Sequence, residues 1–154
     1  MDKSIKIIFA LLAYAIAMAA VEAAVVAYLR ELYYPSGFFI QSAKDLVVMP
    51  ARILRVELWR EAATIIMLAM VGFLAFGDWR KKFWAFVLTF SVWDLAYYLF
   101  LYVFLRWPSS LATLDVYFLI PWPWIGPVRF PLILFGALAI ISFWILVKQQ
   151  RNAA

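Results

Sequence analysis

The residues of this chain whose types and spacing can do chemistry are the ionisable ones set inside otherwise apolar runs. Each is expensive to place in hydrocarbon, and such residues mark ligand sites, ion paths or buried pairs. Glu22 lies in the first apolar run, and Glu57, Arg60 and Glu61 at the head of the second. Asp94, Tyr97 and Tyr98 lie in the third, while the fourth holds no charge between Arg129 and Lys148. On a helix, Glu57, Glu61, Thr64 and Leu68 share a face with Arg60 beside them. Ser91, Asp94, Tyr97, Tyr98 and Leu101 form a second polar stripe. At a helical rise of about 1.5 Å per residue, Glu22 sits about 12 Å inward of Arg30 and Glu61 about 9 Å inward of Arg55. On the same scale Tyr98 is about 12 Å, and Asp94 about 18 Å, inward of Arg106. Polar groups from three runs thus reach the outer half or the midplane of a bilayer, and one shared site is expected.

Three chemistries fit such a site. The first is a buried network in which Arg60 neutralises Glu22 or Glu61 and the tyrosines bond Asp94. The second is a metal or catalytic carboxylate centre with Glu22, Glu57, Glu61 and Asp94 as ligands. An all-oxygen ligand set favours Mg²⁺, Ca²⁺ or Mn²⁺. The third is proton or ion coupling through Glu22.

The chain contains no Cys and no His. That excludes disulfides, iron–sulfur clusters, His-ligated haem and zinc held by His or Cys. Proton transfer falls to Asp, Glu, Tyr, Lys or water. Whether the chain is an enzyme stays open; as one, it would act on a lipid-like substrate near the outer leaflet.

The elements that must carry these residues follow from composition. The 154 residues are 68% hydrophobic with a mean hydropathy of +0.92, well beyond the roughly 45–50% of a soluble domain. The bilayer is therefore the expected solvent, and a single domain the expected size. A span needs roughly 20 apolar residues in a helix. Such helices are expected at about 7–29, 51–77, 83–105 and 128–147, an all-α bundle of four transmembrane helices. The first run, with Lys3 and Lys6 before it, is too long for a signal peptide and carries Glu22. The net charge of +5 lies between the runs, which reads as membrane orientation and not as a nucleic-acid surface. Gly77-Asp78-Trp79-Arg80-Lys81-Lys82 is expected in the cytoplasm, with both termini (Lys3, Lys6, Lys148, Arg151). A multi-pass protein of a bacterial or archaeal plasma (inner) membrane is the expected localisation. The two halves differ in loop length and polarity, against an inverted-repeat transporter.

The first and third connections then lie outside. Ser42-Ala43-Lys44-Asp45 has capping-box spacing, so a short interfacial helix is expected over about 43–49, with Pro50 opening the second span. In the third connection, Ser109 or Ser110 is expected to cap a short helix over Leu111–Leu119 that carries Asp115. Pro121, Pro123 and Pro127 forbid helix beyond it. Trp122 and Trp124, with Asp115 paired to Arg129, are expected to form an aromatic lid over the outer side of the bundle, or else to do no more than anchor the connection at the membrane interface. In the first span Ala13, Ala17, Ala20, Ala24 and Ala27 are spaced as a small-residue seam for close helix approach.

Four spans with Glu22 in the first are similar to the small multidrug resistance exporters. The likeness stops there, because outer connections of about 25 residues far exceed the roughly 2–8 of a tight bundle. A second likeness is local. Glu57-x-x-Arg60-Glu61, Trp93-Asp94-x-x-Tyr97-Tyr98, Trp107-Pro108-x-Ser110, Asp115 and Pro121-x-Pro123-Trp124-x-Gly126-Pro127 resemble the signature of a group of small four-helix bacterial membrane proteins without an assigned activity. It covers helices two to four and implies only that the site residues belong together. The expected function is an outer-half carboxylate, Arg and Tyr site for a lipid-like ligand or a hard cation. An accessory subunit that docks another membrane subunit or a second copy, and a proton-coupled small transporter, are the alternatives.

Overall fold

A computed structural model describes residues 3–151 of the chain. The elements are α1 (Lys3–Tyr33), a short 3-10 helix (Ala43–Val48), α2 (Ala51–Ala75), α3 (Trp79–Leu105), β1 (Leu114–Phe118), β2 (Trp124–Pro127) and α4 (Arg129–Arg151). Helix accounts for 74% of the residues, and α1 to α4 are each long and apolar enough to cross a membrane. The side chains of Lys3 and Arg151, expected as inside charges, lie outside those described.

The termini of the helices follow local chemistry. Pro50 stands just before α2, where its missing N–H costs nothing. The Asp78 carboxylate accepts from the Lys81 N–H at 3.0 Å and starts α3 a turn earlier than the apolar run alone indicates. Arg106, left-handed at φ 53°, ends α3 ahead of Trp107-Pro108. In the α1–α2 connection the Asp45 carboxylate accepts from the N–H groups of Gln41 and Ser42 at 2.8 Å each.

The connection between α3 and α4 corrects the all-α expectation. It is an antiparallel hairpin that pairs Leu114 with Pro127, Asp115 with Gly126, Val116 with Ile125 and Phe118 with Trp124. The helix expected over Leu111–Leu119 does not form. Leu114-Asp115-Val116-Tyr117-Phe118 is rich in β-branched and aromatic residues, and the proline-bearing turn returns the chain alongside it. Ser109 and Ser110 close a turn on Thr113 instead of capping a helix. Tyr117 lies across Gly126, where any side chain would collide, and donates its hydroxyl to the Pro127 carbonyl at 2.7 Å.

Helix α3 is the axis of the bundle: it packs on α1, α2 and α4, whereas α1 and α2 meet only locally. Three apolar layers run along it. Ile8, Leu11, Ala85, Leu88 and Leu146 fill the end nearest the α2–α3 connection. Ala15, Ala19, Leu68, Trp93 and Ala96 fill the middle, and Ala23, Tyr98, Leu101 and Val128 the hairpin end. The small-residue face of α1 that enters the bundle is thus Ala15, Ala19, Ala23 and Ala27. Of the seam expected from spacing, Ala13 and Ala17 are exposed and Ala20 and Ala24 half-buried. Gly72 lets α2 approach α3, since a Cβ there would lie 2.7 Å from the backbone of Phe86. The outward faces carry Val21, Leu74, Leu99 and Ile140, all exposed.

Candidate functional site

A cavity of about 110 Å³ lies between α1, α2, α3 and the hairpin. Glu22, Glu57, Arg60, Glu61, Asp94, Tyr97, Tyr98 and Asp115 all line it, as do Arg30, Trp93 and the apolar Val26, Leu29, Phe38, Leu46 and Met49. Glu22, Glu57, Glu61, Asp94 and Asp115 are buried.

Helical spacing explains the α2 part. Glu57, Glu61, Thr64, Leu68 and Gly72 form its single buried face. Arg60 folds back one turn, and its Nε and Nη2 donate to Glu57 Oε2 at 2.9 and 2.7 Å. Its Nη1 donates to Glu22 Oε1 on α1, and the Thr64 hydroxyl donates to Glu22 Oε2 at 3.1 Å. One guanidinium thus holds two carboxylates from two helices. Sequence reasoning expected Arg60 to serve Glu22 or Glu61; the structure pairs it with Glu22 and Glu57. Glu61 instead accepts the backbone N–H groups of Leu119 at 2.8 Å and Ile120 at 3.1 Å, where β1 has ended. It fastens the hairpin to α2.

A second cluster holds the other side. Asp115 on β1 accepts from Arg30 Nη2 at 2.9 Å and from the Tyr98 hydroxyl at 3.1 Å. The Arg30 guanidinium lies between the rings of Phe38 and Trp107, 4.0 and 3.9 Å from their centroids. Burial pushes the Asp115 carboxyl up, against the Arg30 charge, the Val116 N–H and the Tyr98 hydroxyl, which pull it down. Burial, with Asp115 and Asp94 near, pushes the Tyr117 phenol up to about 12. The expected pairing of Asp115 with Arg129 is corrected: Arg129 is exposed, and its backbone N–H bonds the Leu111 carbonyl. Tyr98 serves Asp115 and not Asp94. Trp122 and Trp124 stack on each other in solvent-accessible positions, so the roof of the cavity is the stretch from Asp115 to Leu119, in β1 and just past its end, and not the Trp122–Pro127 segment.

Asp94 stands apart. Its Oδ2 is buried without a hydrogen-bond partner, as is Nε1 of Trp93, the preceding residue. The metal-ligand set expected at Glu22, Glu57, Glu61 and Asp94 is not brought together. Among the described residues no three acidic side chains converge on one ion position, because Glu22 and Glu57 turn onto Arg60 and Glu61 onto backbone donors.

Sequence reasoning missed Arg30 as a site residue and used it only as the depth reference for Glu22. Its signal was available: residues 22, 26 and 30 recur every four along α1, which puts Arg30 two turns above Glu22 on one stripe. Thr64 was placed on the right face without a role. The Glu61 contact with the hairpin backbone leaves no trace in residue types.

No protein-family model, no curated protein and no solved structure matches the chain.

Proposed function

We propose that the chain is a multi-pass membrane protein that holds the polar end of a lipid-soluble ligand in its outer-half cavity. The hairpin end faces outward and both termini face the cytoplasm. What supports the orientation is Arg80, Lys81 and Lys82 at the opposite end, in the first turn of α3. What carries the function is a single juxtaposition: buried carboxyl groups from α1, α2, α3 and β1 line one cavity together with apolar side chains. A purely structural network would not need an open volume among its charges, nor leave one of its acids unpaired. An amphiphile fits such a volume, with its polar end among the carboxyls and its chain along Val26, Leu29, Phe38, Leu46 and Met49.

Native mass spectrometry of the full chain, released from nanodiscs formed directly from its expression membrane, tests this. The expected result is one bound amphiphile per chain, lost when Val26→Trp fills the cavity while helicity is kept. Absence of any bound molecule above background, or its retention in Val26→Trp, overturns the reading. The chain has no Cys, so single introduced cysteines in the hairpin and in the α2–α3 connection report sidedness without background labelling.

A further inference from the structure

The unpaired charge of the cavity narrows its ligand. Five carboxyls and two guanidiniums line it. Arg60 is shared between Glu22 and Glu57, and Arg30 is taken by Asp115. Glu61 meets only neutral backbone donors. Asp94 is 7% exposed, lines the cavity, and leaves Oδ2 with no partner. A buried carboxylate without a counter-charge is costly, and it is relieved by taking up a proton or by a cation or strong donor that a ligand brings. The rings around Asp94 point the same way. Trp93 and Tyr97 stack at 6.3 Å, and Tyr97 meets Tyr98 edge-on at 5.2 Å, so aromatic surface flanks the acid on α3. Carboxylate beside aromatic faces is the chemistry that recognises organic ammonium groups.

From these we infer that the cavity selects an amphiphile with a protonated amine, its nitrogen on Asp94. This rests on the cavity being the ligand site proposed above. A metal cation is the weaker fit, since no three acidic side chains among the described residues converge. An anionic head is opposed by the surplus of carboxyls. The ammonium can belong to a membrane lipid, as in a phosphoethanolamine head, or to a free long-chain amino alcohol; the chemistry at Asp94 is the same.

The test uses the full chain in phosphatidylcholine nanodiscs, titrated at neutral pH with dodecylamine, dodecanol and dodecanoate and read by tryptophan fluorescence. The amine is expected to bind at least about tenfold more tightly than the alcohol, about 1.4 kcal/mol, and the carboxylate more weakly than either. Asp94→Asn, which removes an unpaired charge without changing shape, is expected to erase the amine preference and to stay folded. Asp94→Glu is expected to keep part of it. Replacing phosphatidylcholine with phosphatidylethanolamine separates the sources: competition with the amine assigns a lipid head, and undiminished amine binding assigns a free amphiphile. Equal binding of amine and alcohol, both lost in Val26→Trp, overturns the ammonium inference and leaves the ligand site standing. No probe binding that responds to Val26→Trp overturns both.

Discussion

Replacing Arg30 with Met removes the charge that holds the hairpin to α1 while keeping an unbranched apolar side chain in its place. Asp115, 1% exposed, would then retain only the Tyr98 hydroxyl and a backbone N–H. Breaking a buried pair by deleting one partner costs about 3–5 kcal/mol. The contacts of the guanidinium with Phe38 and Trp107 are lost as well, but a thioether also packs well on aromatic rings, so the total stays at about 3–5 kcal/mol. Reversible unfolding in mixed micelles with added dodecyl sulfate measures it. The pH dependence separates charge from packing. Burial already raises the Asp115 carboxyl above its usual 3.8, and Arg30 pulls it down. Without Arg30 the folded-state value rises further, so the protonated form is favoured by folding. Stability of the variant therefore falls as pH rises through that value and recovers as pH falls toward 3.8. The double variant Arg30→Met with Asp115→Asn, neutral on both sides and still able to accept from Tyr98, is expected to recover most of the loss. A single-variant cost below about 1 kcal/mol, or one unchanged on acidification, refutes the reasoning that this buried pair carries the hairpin.

Three further outcomes are expected. Glu61→Gln leaves one oxygen for the two N–H groups of Leu119 and Ile120; it should cost about 1–3 kcal/mol and speed hydrogen exchange at those two amides above all others in the hairpin. Gly72→Ala drives a methyl into the Phe86 backbone and should destabilise by about 1–3 kcal/mol in the same unfolding assay, whereas Gly77→Ala, which meets nothing, should not. Asp45 is held below its usual 3.8 by the Gln41 and Ser42 N–H groups, so its contribution is present above 3.8 and lost as pH falls through the lower folded-state value. Protection of the Gln41 and Ser42 amides, taken relative to the intrinsic exchange rate at each pH, should fall on that acidification in the wild type, and be low at every pH in Asp45→Ala.

Much of this architecture is legible in residue order, for one reason: hydrocarbon cannot satisfy backbone groups, so each apolar run long enough to span has helix as its solution. The face of α2 was readable for a related reason. Glu57, Glu61 and Thr64 recur every three to four residues in line with Leu68 and Gly72, and burial followed them. Helix α1 offered no such contrast. Alanines occur on every side of it, so spacing alone could not tell Ala13 and Ala17, which face outward, from Ala15 and Ala19, which carry the packing. The hairpin was missed because strand pairing is non-local: Asp115 faces Gly126 only after the proline-bearing turn has brought them together.

Sequence by itself determined the number of long apolar helices in this protein and most of the ionisable side chains that would have to hide, Arg30 excepted, because those follow from composition and helical period. Tertiary packing alone decided who meets whom. Arg60 takes Glu57 and Glu22, Arg30 takes Asp115, Glu61 takes a hairpin backbone and Asp94 takes nothing. A charged side chain reaches several partners from one position on a helix, and only the rotation and depth of the neighbouring elements select among them.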